Sequence, residues 1–177
     1  DWNIASYDTK ESKWSLLMGN TGIPVKTLKT TSAILLDSKR HRIIFYGGLA
    51  WTSIKGAAPQ MAKNQLHSYD IDKNTFEVIN GIGTAEFEKI RPCAYLSDID
   101  KYLYLTDKGH YLFDPITNQW KKLKIEMPSV PFQWCYMTYD TKRGLVILNE
   151  GYKWAVLKID EKSLVYEKNE VKIKSED

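Results

Sequence analysis

Histidine, cysteine and aspartate are the side chains here that could ligate a metal, attack an electrophile or relay a proton. Three histidines occur, at His41, His67 and His110. No pair has His-x-x-x-His spacing and no Cys-x-x-Cys is present, so the patterns that gather metal ligands from a short segment are missing. His41 lies in the basic run Lys39-Arg40-His41-Arg42, which reads as a solvated turn. Cys93 and Cys135 each stand five residues before an aspartate, Asp98 and Asp140. That places them at equivalent positions of a repeat, as small core residues on neighbouring strands too far apart to bridge. Neither has a sequence neighbourhood that would lower a thiol pKa. Gly81-Ile82-Gly83 lacks the strand-to-helix setting of a dinucleotide site. No catalytic residue, metal or cofactor is expected.

The aspartates are the residues with a pattern. Tyr7-Asp8 precedes Trp14, Tyr69-Asp70 precedes Phe76, Phe113-Asp114 precedes Trp120, and Ile159-Asp160 precedes Tyr166. Each copy is a large apolar residue, an aspartate, turn formers, and a second large residue seven positions after the first. A carboxylate can accept hydrogen bonds from a turn backbone, and the two large residues can pack across the arms of a β-hairpin. Recurrence once per repeat assigns these aspartates to structure, since a catalytic carboxylate is needed singly or as a pair.

A second hairpin precedes each of the last three copies. Its first arms run over 33–37, 94–98 and 136–140, and its second arms are Ile43-Ile44-Phe45-Tyr46, Tyr102-Leu103-Tyr104-Leu105 and Leu145-Val146-Ile147-Leu148. Runs this short, bounded by turn formers, predict strands buried on both faces. The copies begin at 7, 69, 113 and 159, in steps of 62, 44 and 46 residues. The last two steps match the ~40–50 residues of a propeller blade. The unit is four antiparallel strands, a to d, and the chain reads c-d followed by a-b-c-d three times. With 6 Trp, 11 Tyr and 5 Phe, the composition suits an all-β fold.

Phe45-Tyr46-Gly47-Gly48, then Tyr69-Asp70 and the aromatic at Phe76, resemble the Kelch-repeat β-propeller family, whose mark is a diglycine, then a Tyr, then a Trp. Asp107-Lys108-Gly109 and Asn149-Glu150-Gly151 stand in place of the diglycine in the next two repeats. The resemblance implies three complete four-stranded blades over 30–80, 91–126 and 134–173, after a half-blade over 1–20. Propellers close rings of about four to eight blades. This arc is therefore expected to be completed by other segments or another chain.

Antiparallel order sends the short a–b and c–d turns to one rim and the long connections to the other. The b–c connection over 49–64 carries Trp51, Lys55 and Met61. The d–a connections over 80–91 and 126–134 carry Phe87, Arg91, Phe132 and Trp134. Long loops on a rigid scaffold concentrate function, and aromatic, Met and Arg side chains are enriched at interface hot spots. The resemblance points to the same rim, since Kelch propellers commonly bind proteins or peptides through long loops. The expected function is a non-enzymatic protein–protein interaction module. The alternative is a propeller enzyme, oxidase- or isomerase-like, holding a sugar or small ligand at the central channel.

The charge balance, 25 Lys+Arg against 22 Asp+Glu, favours neither nucleic acid nor membrane as partner. No apolar run approaches the ~18 residues of a spanning helix. The chain opens Asp1-Trp2-Asn3 without Met, so it is expected to be processed or cut from a longer protein. No Asn-x-Ser/Thr sequon occurs, which places the expectation in the cytoplasm.

Overall fold

The computed structural model describes residues 4–17, 33–46, 65–83, 85, 92–106, 109–123, 136–150 and 153–159. These residues form strands and turns, with no helix among them. The chain divides into two compact units, Asp1–Asn80 and Gly81–Asp177. In the first, β1 (Ile4–Asp8) and β2 (Lys13–Leu17) form a hairpin. There too β3 (Ala33–Asp37), β4 (Arg42–Tyr46), β5 (Gln65–Asp70) and β6 (Thr75–Asn80) form a sheet in chain order. In the second, β7 (Cys93–Leu96), β8 (Lys101–Thr106), β9 (Gly109–Asp114) and β10 (Gln119–Leu123) repeat that four-stranded order. The last sheet is β11 (Tyr136–Asp140), β12 (Leu145–Glu150) and β13 (Lys153–Lys158). All neighbouring strands in these sheets are antiparallel. The fourth strand expected around Tyr166, the Gly47-Gly48 pair and Cys135 lie outside the described residues.

One turn design joins the strands. If residue i ends a strand, residue i+5 begins the next and pairs opposite it. The pairs are Asp8 with Lys13, Asp37 with Arg42, Asp70 with Thr75, Leu96 with Lys101, Asp114 with Gln119 and Asp140 with Leu145. In every case i+4 is left-handed: Ser12 (φ 52°), His41 (49°), Asn74 (55°), Asp100 (53°), Asn118 (57°) and Gly144 (64°). Ser, Asn, Asp, His and Gly are residues that tolerate or favour this region. The aspartate at i supplies the cap. Asp8 Oδ1 accepts the N–H groups of Lys10 and Glu11, Asp70 Oδ1 those of Asp72 and Lys73, Asp114 Oδ1 those of Ile116 and Thr117, and Asp140 Oδ1 those of Lys142 and Arg143.

The turn at Leu96 departs from this and corrects the sequence reading. Its strand ends at Leu96, not Asp98, so Asp98 is the second turn residue. Cys93 is then three residues before i, whereas Cys135 is five before Asp140 in its own repeat. The two cysteines are therefore not equivalent positions, and Cys93 is free.

The aromatic pairs of the sequence repeat meet across their hairpins. Ring centroids are 5.0 Å apart for Tyr7 and Trp14, and 4.8 Å for both Tyr69–Phe76 and Phe113–Trp120. In the β7–β10 sheet the third pair extends into a row across all four strands, Tyr95–Tyr102–Phe113–Trp120. Successive centroids along it lie 5.7, 5.7 and 4.8 Å apart. That face carries residue i−1 of each turn and is aromatic. The opposite face, carrying residue i, is aliphatic, because side chains alternate along a strand. Ala94, Leu96, Leu103, Leu105, Leu112 and Leu123 of this face pack with Val146, Leu148 and Leu157 of the β11–β13 sheet. Burying a leucine or valine side chain contributes about 1.5–3 kcal/mol, so this aliphatic layer is the main bond between the two sheets.

The second arms differ in burial. Tyr102, Leu103, Tyr104 and Leu105 are buried throughout, as a strand covered on both faces must be. β12 alternates: Val146 and Leu148 are buried while Leu145 and Ile147 are half-buried. β4 alternates likewise, with Ile44 and Tyr46 buried. The expectation of burial on both faces holds for β8 and fails for β4 and β12, each of which leaves one face less covered.

Candidate functional site

The recurring turn sorts the ends of each sheet. In the β3–β6 sheet the turns 38–41 and 71–74 lie at one end, and the chain from 47 to 64 leaves and re-enters at the other. In the β7–β10 sheet the turns 97–100 and 115–118 share one end and 107–108 joins β8 to β9 at the other. The β11–β13 sheet follows suit, with 141–144 at the turn end. In sequence the candidate binding residues Trp51, Lys55 and Met61 fall between β4 and β5, Phe87 and Arg91 between β6 and β7, and Phe132 and Trp134 between β10 and β11. All seven lie outside the described residues.

Described residues at the loop end show what that rim offers. Tyr136, Asn149 and Trp154 form one cross-strand row over β11, β12 and β13, with their side chains on one face. Tyr136 is 80% exposed and Trp154 is 44% exposed. Sequence reasoning missed this pair. The available signal was their placement at strand ends on the face opposite the buried Val146 and Leu148. Between β8 and β9 the Thr106 hydroxyl donates to the Gly109 carbonyl at 2.8 Å. Gly109 has φ 139°, and a Cβ there would stand 2.8 Å from Lys122 Cε, so this position favours glycine. Lys122 Nζ sits 5.8 Å from the Tyr111 ring centroid, a cation–π contact.

The turn end carries carboxylates paired with basic side chains. Asp37 is fully buried, its Oδ2 taking Arg40 Nη1 and Arg42 Nε at 3.1 Å each and its Oδ1 the Arg40 N–H at 3.1 Å. Lys73 Nζ lies 3.0 Å from Asp70 Oδ2 and Arg143 Nη1 2.5 Å from Asp140 Oδ2. Asp70 is held below the usual carboxylate range, chiefly by the Lys73 N–H and then by its ammonium. Asp140 is lowered chiefly by the Arg143 guanidinium. For Asp114 burial works upward, but bonds from the Ile116 N–H, Lys101 and Thr117 outweigh it and the net shift is downward.

Tyrosines at i−1 reach over these turns. Tyr69 Oη donates to Asn74 Oδ1 at 2.5 Å and Tyr95 Oη to Asp100 Oδ1 at 2.9 Å, each to the left-handed residue of its own turn. Gly144 offers no side chain at that position, and Tyr139 Oη donates instead to Asp98 in the neighbouring sheet. Burial, and then this bond, push the Tyr139 pKa upward. Asp98 can act as that acceptor because it is not the strand-ending cap of its turn.

The remaining titratable groups among the described residues show no catalytic arrangement. Among the described residues no three His, Cys, Asp or Glu side chains gather to hold a metal ion. His41 Nδ1 meets the Asp72 carboxylate at 3.1 Å in an exposed pair. His110 is buried, and desolvation lowers its pKa against a smaller upward pull from the Gly109 backbone. Burial pushes the Cys93 thiol up to about 12, the reverse of an activated nucleophile. No protein-family model matches the chain, and no curated protein matches it.

Proposed function

We propose that this chain is a non-enzymatic protein–protein interaction module of Kelch-like propeller build, gripping a protein or peptide through the loop end of its sheets. One observation carries the reading: the charged four-residue turns fall at one end of each sheet, so the long connections are free to form a separate surface. The capped turns are short and fixed, and a rigid scaffold with long loops at one end is the arrangement on which binding surfaces are built. Trp51, Lys55, Met61, Phe87, Arg91, Phe132 and Trp134 are the proposed contact residues on that surface. In this reading another chain or segment completes the array of sheets. The setting is cytoplasmic, and no nucleic acid or membrane is involved.

The test is capture by the immobilised chain, comparing the wild type with Trp51→Ala, Arg91→Ala and a turn-end control, Thr9→Ala. A partner held by the wild type and the control and lost by both loop variants supports the reading. Equal capture by all four proteins refutes it.

A further inference from the structure

The larger sheets stack by a rule, and among the described residues two of their faces stay open, besides the exposed β1–β2 hairpin. In the second unit the face carrying residue i of the β7–β10 turns packs on the face of the β11–β13 sheet that carries i−1, Met137 and Tyr139 among it. The same frame identifies every other face. On the β11–β13 sheet the open face is the i face: Tyr136 and Trp154 are exposed beside half-buried Ile147 and Val156. On the β3–β6 sheet the i face is the covered one, with Leu35, Ile44 and Leu66 buried. Its i−1 face leaves Ile34 58%, Leu36 56% and Val78 51% exposed. The strand residues of that face include no Asp, Glu, Lys or Arg.

The two open faces are thus of opposite kind, and they are the two kinds seen packed together inside the second unit. We propose that the chain self-associates head to tail, the i face of β11–β13 in one copy seating on the i−1 face of β3–β6 in a second copy. The contact repeats the observed i-on-i−1 packing, has no charged strand residue to desolvate on the β3–β6 side, and on the β11–β13 side meets the two charges of that face, Asp140 and Lys158, only at its turn end. It is heterologous, so each copy keeps one open face of each kind until the array closes. This rests on the reading that another chain completes the sheets, and it names the surfaces and the occupant.

The full 177-residue chain is tested by sedimentation velocity from micromolar to sub-millimolar concentration. The wild type is expected to associate as concentration rises. Ile34→Glu and Trp154→Glu each destroy one of the two faces and should each be monomeric. Mixed in equal amounts they should form a 1:1 complex that grows no further, because each supplies the face the other lacks. Far-UV circular dichroism checks that both fold, and should either fail, Ile34→Thr and Trp154→Thr give the same readouts through weakened association. A wild type monomeric throughout, association indifferent to both substitutions, or a mixture that stays monomeric overturns the proposal. A monomeric wild type that still captures a partner through Trp51 and Arg91 leaves the rim reading standing and removes this one alone.

Discussion

Replacing Asp37 by alanine tests whether the turn aspartates are structural and how strongly burial decides their weight. Asp37 is the fully buried member of the set, and it satisfies two guanidinium groups and one backbone N–H. Removing one partner of a buried ion pair destabilises by about 3–5 kcal/mol, because the remaining charge is left uncompensated. The side chains of Arg40 and Arg42 retain 24% and 16% exposure, so both can recover some hydration. The lost backbone cap adds about 1 kcal/mol. The sum after discount is about 3 kcal/mol. With an m-value of about 1–3 kcal/mol/M, the urea midpoint should fall by roughly 1–3 M. Asp8 caps the same kind of turn in full solvent, so Asp8→Ala should move the midpoint by only a small fraction of that. Urea titrations followed by far-UV circular dichroism make the comparison. An Asp37→Ala midpoint unchanged from wild type, or equal to that of Asp8→Ala, would refute the argument that burial sets the strength of the cap.

Three further outcomes follow from the same geometry. Gly144→Ala should destabilise by about 1 kcal/mol through its left-handed backbone, since the added Cβ meets Asp98 Oδ2 and Tyr139 Oη only at 3.5 and 3.7 Å. Gly144→Asn, the residue already used at 74 and 118, should recover most of that loss in thermal melts. Tyr139 has a raised folded pKa, so its contribution is complete below the unfolded tyrosine value of about 10 and is lost as pH climbs past it. Tyr139→Phe should therefore flatten the alkaline limb of stability against pH, and an unchanged limb would contradict the role given to the hydroxyl. In a Cys135→Ser background, Cys93 should react with iodoacetamide far more slowly in the native protein than in urea at mildly alkaline pH. Equal rates would show that its thiol is not held protonated by burial.

The hairpins were legible in the sequence because their chemistry is local. An aspartate cap and four turn residues, the last of them one that tolerates the left-handed region, sit within five positions, and the flanking aromatics announce the pairing. The turn at Leu96 was misread for the same reason: Asp98 looks like a cap, but only the register shows that it serves Tyr139 of the next sheet. Which face of β4 or β12 is covered was not legible, since Ile43-Ile44-Phe45-Tyr46 and Leu145-Val146-Ile147-Leu148 are apolar at every position and burial there depends on a neighbouring sheet. The exposed pair Tyr136 and Trp154 was hidden likewise, because strand aromatics look alike until their row and face are known. The loop residues singled out for binding gain nothing from the strands, as they lie outside the described residues.

The parallel bridge at Ile82 bears on how the β7–β10 sheet could be extended. Ile82 donates its N–H to the Asn118 carbonyl at 2.6 Å and accepts the Trp120 N–H at 2.9 Å, occupying hydrogen-bonding groups on the side of β10 away from β9. An unpaired sheet border is a template on which stray chains add and fibrils begin. Both bonds belong to the main chain, so the guard tolerates almost any side chain at 82 and yields specifically to proline, which has no N–H to give. A stretch of connecting peptide thus acts as a selvage, keeping this sheet from being extended by foreign strands.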